Sequence, residues 1–383
     1  MAHDRCAAQA AGRDIVESGF GGEEMLHRTL TVFAAICAAS ALAAQAPAGL
    51  TVGTATAKHG DRAYGAIQVP AGSDAATTIP VAVVNGAKPG PVLALVAGAH
   101  GTEYASVIAL TRLIAQIDPK ALTGAVIVAP LVNVASFEQM TVHVNPVDKK
   151  GMNRSYPGDA AGTQTERALA LIAEQVVKPA DVIVDLHGGD LDEDLRPYSY
   201  WVRGGDAGLD ARTKPLALAF GLEDIVVLDL DVSQPSGRRS LSGYALSLGK
   251  LSIVAEAGRS GVSSPEDVAA LVEGCFNTMA FLKMIDRVVT PVPHPVWIAD
   301  DVRVAAEGPG MFFQTVGHGD YVMAGAKVGF TTDYLGRATG DVLSPVTGVV
   351  TFIRGVPSMW KGAALVNVGV AYAEPPPYRK PAQ

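Results

Sequence analysis

Cysteine is scarce in this chain of 383 residues, which has only Cys6, Cys37 and Cys275. Residues 25–46 have a short basic start, an apolar middle and small residues at the end, a pattern typical of a secretory signal peptide. Cleavage after Ala44 or Ala46 would leave Cys275 alone, which excludes an intramolecular disulfide. A periplasmic or secreted location fits this composition, because the periplasm permits disulfides without requiring them.

The chain also has no excess of positive charge: it contains 30 basic and 38 acidic residues, which gives a net charge of −8. This balance argues against nucleic acid or an anionic membrane as a partner. The apolar run of the signal is too short and too rich in alanine to span a membrane well, so no stable membrane association is expected after cleavage. An uncleaved N-terminal anchor is the alternative. Residues 1–24 are expected to be an upstream extension, with Met25 as the true start.

The remaining chain is long enough and apolar enough to bury a large core, and this length usually divides into two domains. Residues 47–290 alternate apolar strand runs with helical stretches, including 106–117, 164–177 and 265–285. This alternation predicts an α/β domain with a mixed, mostly parallel sheet flanked by helices.

After residue 290 the pattern changes to short strands with glycine-rich turns, which predicts a small C-terminal β domain over residues 291–383. Residues 344–350 and 361–366 resemble the barrel-sandwich modules of lipoyl and biotinyl carriers. The hairpin position of the modified lysine lacks a suitable Lys, so a swinging-arm role is not expected.

Three residues carry the strongest chemical signal: His100 and Glu103, three positions apart, and His187. On a tight turn that enters a helix, residues i and i+3 lie on the same side, so one ion can contact both side chains. Two His and one Glu leave the fourth tetrahedral position open for water, as in catalytic zinc sites. The sequence therefore predicts one catalytic Zn²⁺ per chain.

The context of these residues strengthens the prediction. Residues 91–97 form an apolar run typical of a buried parallel strand and lead into His100 through a glycine. A second apolar run ends on His187 and breaks at two glycines. Open α/β sheets carry their sites at such strand ends.

Longer motifs then point to a family. The segment 89–103, the pair Asn153-Arg154, the segment 165–167, Asp185-Leu-His187 and Glu256-Ala-Gly together resemble the succinylglutamate desuccinylase and aspartoacylase family, a branch of the zinc carboxypeptidase-like hydrolases. The resemblance covers residues 79–281. It implies that His100, Glu103 and His187 bind zinc, that Glu256 is the general base and then acid, and that Asn153 and Arg154 contact the substrate. Family members use a C-terminal appendage to narrow the cleft or to build a homo-oligomer interface.

Elementary chemistry supports the same roles. A carboxylate near a zinc-bound water can take its proton and pass it to a leaving amine, and Glu256 ends another apolar strand. Arg154 can form a two-pronged contact with a carboxylate or stabilise an oxyanion, while Asn153 orients the substrate. Arg259 is a further candidate for an anionic substrate group.

Two positions depart from the family pattern. Many relatives carry an arginine shortly before the Asn-Arg pair, whereas this chain has none in residues 139–145, and His143 is the expected substitute in substrate binding. Gly151 replaces an Asp that holds a ligand imidazole in related enzymes, and Asp185 is the expected substitute.

Four acids lie in residues 190–194, directly after the third predicted ligand. A solvated acidic loop is the favoured interpretation. The alternative is that these acids line the cleft, bind a substrate amino group and disfavour a dianionic substrate such as succinylglutamate.

Three functions fit these observations. The leading hypothesis is a zinc-dependent deacylase, a metallohydrolase that removes an acyl group from an N-acyl amino acid or a similar small amide. The second is a zinc carboxypeptidase that acts on peptides or cell-wall fragments. The third is a non-catalytic binding protein of the same fold, which the complete set of predicted ligands disfavours.

Overall fold

The computed structural model describes residues 49–382, so the predicted upstream extension and signal peptide, residues 1–24 and 25–46, lie outside the described range. The strands of this range are β1 (Gly49–Val52), β2 (Ala55–Lys58), β3 (Asp61–Val69), β4 (Thr77–Asn85), β5 (Lys88–Ala97), β6 (Thr123–Ala129), β7 (Val182–His187), β8 (Glu193–Leu195), β9 (Tyr198–Arg203), β10 (Asp224–Asp229), β11 (Leu251–Glu256), β12 (Val296–Ala305), β13 (Gly310–Gln314), β14 (Tyr321–Val322), β15 (Lys327–Thr332), β16 (Ala338–Leu343), β17 (Gly348–Arg354), β18 (Ser358–Met359) and β19 (Ala364–Tyr372). The α-helices are α1 (Tyr104–Gln116), α2 (Val134–Gln139), α3 (Gln164–Ile172), α4 (Ala207–Phe220), α5 (Leu241–Ser247) and α6 (Pro265–Phe281).

A large mixed sheet organises the chain in the order β3-β4-β6-β5-β7-β11-β9-β10-β12-β19-β17-β14, with β8 paired to β17. The neighbours β6, β5, β7 and β11 run parallel, and so do β9, β10 and β12, whereas β11 and β9 are antiparallel. The predicted fold class, a mixed α/β sheet flanked by helices with a strand-rich C-terminal region, is confirmed.

Side-chain alternation along the strands explains why helices cover both faces. In β5, Leu93 and Leu95 point into the core beneath α1, α4 and α6, while Val92 and Ala94 point into the core beneath α3 and α5. Successive strand residues face opposite sides, so a strand covered on both sides must be apolar throughout.

Helix boundaries differ modestly from the prediction. Helix α1 begins two residues before the predicted start at 106, because Glu103 already occupies its N-cap position. Helix α3 passes into a π-helical turn, Ala173–Val177, which completes the predicted stretch. Helix α6 ends at Phe281, four residues before the prediction, since Lys283 adopts a left-handed conformation with φ 60°.

The C-terminal strands continue the main sheet, because β12 pairs with β10 on one side and with β19 on the other. A four-stranded sheet, β16-β15-β13-β18, packs against β17 and β19. Phe312, Val328, Val350 and Val366 meet in the core between these two layers. A domain boundary near residue 290 would fall between α6 and β12, and this division stays a prediction.

No helix in residues 49–382 is long and apolar enough to cross a membrane.

The segment after β19, residues 373–382, returns to the main sheet and is fastened by a buried arginine. Arg203 forms a two-pronged pair with Asp229, at 2.5 and 2.9 Å, and donates to the backbone oxygens of Pro376 at 2.7 Å and Pro377 at 3.3 Å. Its guanidinium also lies 5.1 Å from the Trp201 ring centre. This one side chain therefore links β9, β10 and the C-terminal segment.

We expect Arg203→Met to lower the free energy of unfolding by roughly 3 kcal/mol, because the partly buried carboxylate of Asp229 loses its charged partner and keeps only the backbone N–H of Arg379. Urea denaturation measures the loss, and limited proteolysis should show faster cleavage within residues 373–382. Arg337→Met is the matched control, since Arg337 pairs with Asp333 at the surface. Equal stability of the two variants would contradict the linking role of Arg203.

Candidate active site

Strand ends bring the three predicted metal ligands together. His100 lies in the turn after β5, Glu103 caps α1, and His187 is the last residue of β7, the parallel neighbour of β5. Their potential ligand atoms lie within 4.8 Å of one another. Glu103 Oε2 is 2.9 Å from His187 Nδ1. The sequence spacing therefore corresponds to a compact group in three dimensions.

Hydrogen bonds outside the group hold each imidazole. His100 Nδ1 lies 3.1 Å from the backbone oxygen of His143, which leaves Nε2 facing inward. His187 Nε2 lies 3.1 Å from Asp185 Oδ1, which leaves Nδ1 facing Glu103. Ligand imidazoles are usually fixed by such outer acceptors. The arrangement fits a divalent cation, because two imidazole nitrogens and one carboxylate face the same point.

Electrostatics at this point also favour a cation. Burial raises the pKa of Glu103 to about 8, and burial raises the pKa of Glu256 well above its usual range. Burial and the neighbouring His187 lower the pKa of His100 to about 3, which keeps its imidazole neutral as a metal ligand requires. Carboxylates buried together repel one another unless a positive charge lies between them.

Glu256 ends β11, the parallel neighbour of β7, and its position is level with His187 in the strand register. The two strands lie about 4.8 Å apart, the usual spacing in a sheet. Oε2 of Glu256 is buried and has no hydrogen-bond partner among residues 49–382. This oxygen is therefore available to a proton or to a substrate atom beside the His-Glu-His group.

Asn153 and Arg154 lie in a 3₁₀ turn, Met152–Arg154, at the edge of the same cavity. Asn153 Nδ2 is 3.0 Å from His100 Nε2. The side chain of Arg154 is exposed, and its Nη1 donates to the backbone oxygen of Asn153 at 2.8 Å. The pair thus places one amide at the ligand group and one cation at the entrance.

His143 contacts the acidic loop. Its Nδ1 lies 3.2 Å from Asp190 Oδ2, and its Nε2 lies 3.3 Å from Asp192 Oδ1 and 3.9 Å from Glu193 Oε1. Burial alone would lower the pKa of His143, but the hydrogen bonds to Asp190 and Asp192 outweigh it and raise the pKa to about 10. His143 therefore carries a positive charge beside His100.

The favoured interpretation of residues 190–194 as a solvated loop is wrong. Asp190 is fully buried and Asp192 is 7 % exposed. Arg354 Nη1 in β17 lies 2.9 Å from Asp192 Oδ2, so the C-terminal strands neutralise this loop. Glu193 lines the cavity, and burial raises its pKa.

Arg259, another predicted substrate-binding residue, has a different place. Its backbone bridges Asp194 and Val262, its side chain is exposed, and it does not line the cavity. The geometry gives this arginine no contact with the reaction centre.

The cavity that opens on the ligand group has a volume of about 930 Å³ and extends well beyond the predicted residues. Tyr198 and Tyr200 of β9 form one wall. The sequence analysis missed Asp301, Asn367 and other residues of the C-terminal strands. The pair Asp300-Asp301 within an apolar strand was the available signal.

The chain has an open α/β sheet with a His-Glu-His group at the ends of parallel strands. It therefore falls in the class of α/β proteins whose strand ends form a site able to bind a metal ion. The particular family follows from the sequence: residues 89–282 match the model of the succinylglutamate desuccinylase/aspartoacylase catalytic domain, a span of about half the chain. The chain belongs to this family.

Individual relatives agree with this assignment. The chain is 29 % identical over 275 residues to the N-alpha-acetyl-L-2,4-diaminobutyric acid deacetylase of Halomonas elongata, covering 69 % of this chain and 78 % of the relative. The succinylglutamate desuccinylase/aspartoacylase of Rhodobacter sphaeroides is 26 % identical with a TM-score of 0.73, covering 82 % of this chain and 96 % of the other.

The product-bound ectoine utilization protein EutE of Ruegeria pomeroyi shares the fold, at 24 % identity and a TM-score of 0.73, covering 81 % of this chain and 95 % of the other. The family match and the Halomonas deacetylase support a hydrolase that acts on amides.

We expect His187→Ala and Glu103→Ala each to lower the metal content of the purified protein by at least about tenfold, because each removes one of three ligands. Inductively coupled plasma mass spectrometry after dialysis against zinc measures the content. His294→Ala, a change in an exposed loop, is the control and should bind as much metal as the parent. Unchanged metal in both ligand variants would exclude this group as the site.

Proposed function

We propose that the protein is a zinc-dependent deacylase that hydrolyses the amide bond of an N-acyl amino acid or a similar small amide. The observation that carries the proposal is the position of Glu256, level with His187 at neighbouring strand ends and with a buried oxygen free of protein partners. Membership of a deacylase family supports the same chemistry.

His100, Glu103 and His187 are the residues that would hold the zinc ion. When bound, zinc supplies a Lewis acid that polarises the scissile carbonyl and lowers the pKa of water at the site. The outer contacts of the two imidazoles, to the His143 backbone and to Asp185, keep the ligand nitrogens directed inward.

Glu256 moves the proton. Its carboxylate takes a proton from the attacking water and later gives it to the nitrogen of the leaving amine. The buried surroundings raise the pKa of Glu256, so the carboxyl group can hold this proton between the two steps. The facing Tyr198 and Tyr200 of β9 shield the group from bulk water.

Asn153 and Arg154, which lie at the edge of the cavity beside His100, bind the substrate. The Arg154 guanidinium at the entrance suits a substrate carboxylate, because its planar fork makes two parallel hydrogen bonds. His143, which is positively charged, takes the place of the arginine that relatives carry before the Asn-Arg pair. Asp190 and Asp192 fix the orientation of its ring.

The substrate in the name of the Halomonas deacetylase is a small acylated amino acid with a second amino group, and we propose the same class of substrate for this site. If residues 25–46 act as a signal peptide, the reaction takes place in the periplasm or outside the cell.

We expect Glu256→Gln to lower kcat on an N-acetyl amino acid by about 10²- to 10⁴-fold, the usual contribution of a general base and acid, while zinc content stays at the parental level. Stopped assays of released amine and metal analysis of the same preparation measure both quantities. Glu307→Gln, a change of an exposed carboxylate, is the control. Parental activity in the Glu256 variant would remove Glu256 from this role.

A screen of N-acyl amino acids and short peptides, with and without chelator, separates the three hypotheses. We expect chelator-sensitive release of amine from acyl amino acids and little release from peptides, because the deacetylase relative acts on a small acylated amino acid. Release from peptides alone would indicate a carboxypeptidase. Tight binding of acyl amino acids without turnover would indicate a binding protein.

A further inference from the structure

The cavity continues far beyond the reaction centre, across the face of the sheet. It is lined in turn by Glu256 on β11, Tyr200 on β9, Leu228 on β10 and Asp301 on β12. These four strands are consecutive neighbours, so β11 and β12 lie on the order of 14 Å apart. About four extended residues span such a length, and an acetylated amino acid fills only part of it.

The far end of this cavity, next to the C-terminal segment, holds several charges, and most of them have partners. Arg203 pairs with Asp229, and Arg379 Nη1 lies 2.8 Å from Asp300 Oδ1. Arg303 donates to the backbone oxygen of Gly362 at 2.8 Å.

Asp301 differs from these residues. Among residues 49–382, no Lys, Arg or His nitrogen lies within 4.0 Å of its carboxylate. Thr351 Oγ1 donates to Asp301 Oδ1 at 2.7 Å and fixes the carboxylate in the cavity wall. Asp301 is exposed as a residue, but partial desolvation of its carboxyl group in the cavity wall raises its pKa, and the hydrogen bonds of Thr351 and Asn367 act against this effect.

A second acceptor lies beside Asp301. Asn367 of β19 is level with Arg303 of the neighbouring β12, and its Oδ1 is buried without a hydrogen-bond partner in the described part of the chain. An unpartnered acceptor and a carboxylate without a cation together match the donors of an ammonium group, which has three N–H bonds.

Apolar side chains form the walls between the two ends. Val202, Val226, Leu228 and Phe352 line this stretch of the cavity. Pro376 and Pro377 of the C-terminal segment close the far end, where Arg203 holds them. The cavity is therefore reactive at one end and apolar in the middle, and its other end combines the acceptors of Asp301 and Asn367 with three arginines that already have partners, Arg203, Arg303 and Arg379.

We propose that Asp301 and Asn367 form a subsite for a cationic amino group at the distal end of an extended amide substrate. The substrate class is an N-acylated amine whose leaving portion is a long apolar chain that ends in an ammonium group. This inference rests on the proposed deacylase function and adds to it the chemistry and the length of the leaving amine.

The test compares two homologous series on the zinc-loaded full-length protein: mono-N-acetyl diamines from ethylenediamine to diaminodecane, and N-acetyl alkylamines of matched length. We expect kcat/KM for long diamines to exceed that for matched alkylamines by about tenfold or more, mainly through KM, since a hydrogen bond to a charged group is worth that much. Short diamines that cannot reach Asp301 should show no preference.

Asp301→Asn should bring the ratio of diamine to alkylamine kcat/KM close to one. The ratio is taken within one preparation, so a partial loss of folded protein cancels. Asp341→Asn, a change in a surface ion pair with Lys327, should keep the parental ratio.

The outcomes separate the two proposals. Hydrolysis of both series without a preference for long diamines in the parent protein would overturn the subsite and leave the deacylase function intact. The same holds if Asp301→Asn keeps the parental ratio. Hydrolysis of N-acetyl amino acids but of neither series would overturn the subsite alone. Failure to hydrolyse any N-acyl compound would overturn the deacylase function and, with it, the subsite.

Discussion

Negative charge buried at the strand ends is the constraint on which this structure depends. Glu103, Asp185, Glu193 and Glu256 meet within a few side-chain lengths of one another, in a place where water is largely excluded. Such a group is stable only if protons or cations compensate it. His143 supplies part of the compensation from the protein itself. A divalent cation would supply the rest of the positive charge. The same cation would thus stabilise the folded strand ends and take part in the chemistry of the site.

The sequence reveals much of the reaction centre because the signals are local. His100 and Glu103 share a turn, and the strands that end in His187 and Glu256 are mostly apolar, as expected for strands covered on both faces. Parallel strands bring their carboxyl ends to one edge of the sheet. The proximity of His100, Glu103, His187 and Glu256 can therefore be predicted without knowing the conformation of the loops. The overall α/β class follows from the same alternation.

The remaining parts of the site depend on pairings that no local pattern encodes. The acidic loop looked solvated because its counter-charge, Arg354, comes from a strand far along the chain. Asp301 enters the cavity only because β12 pairs with β10, and its neighbour Asn367 only because β19 pairs with β12. Arg259 looked close to Glu256 in sequence, but the turn after β11 directs it away. Distance along the chain was a poor guide wherever strand order departs from chain order.

The shared ladder of β10, β12 and β19 also determines how the cavity can change shape. Many enzymes with an added C-terminal module close around a ligand by rotation about a flexible connection. Here the wall contributed by the C-terminal strands is joined to the catalytic strands through backbone hydrogen bonds across adjacent strands, and a sheet of this kind resists bending between neighbours. Motion that admits a ligand is therefore confined to the turns around the cavity and to the segment after β19. The strands that form the base of the cavity keep a fixed spacing, so the distance between its two ends is constant.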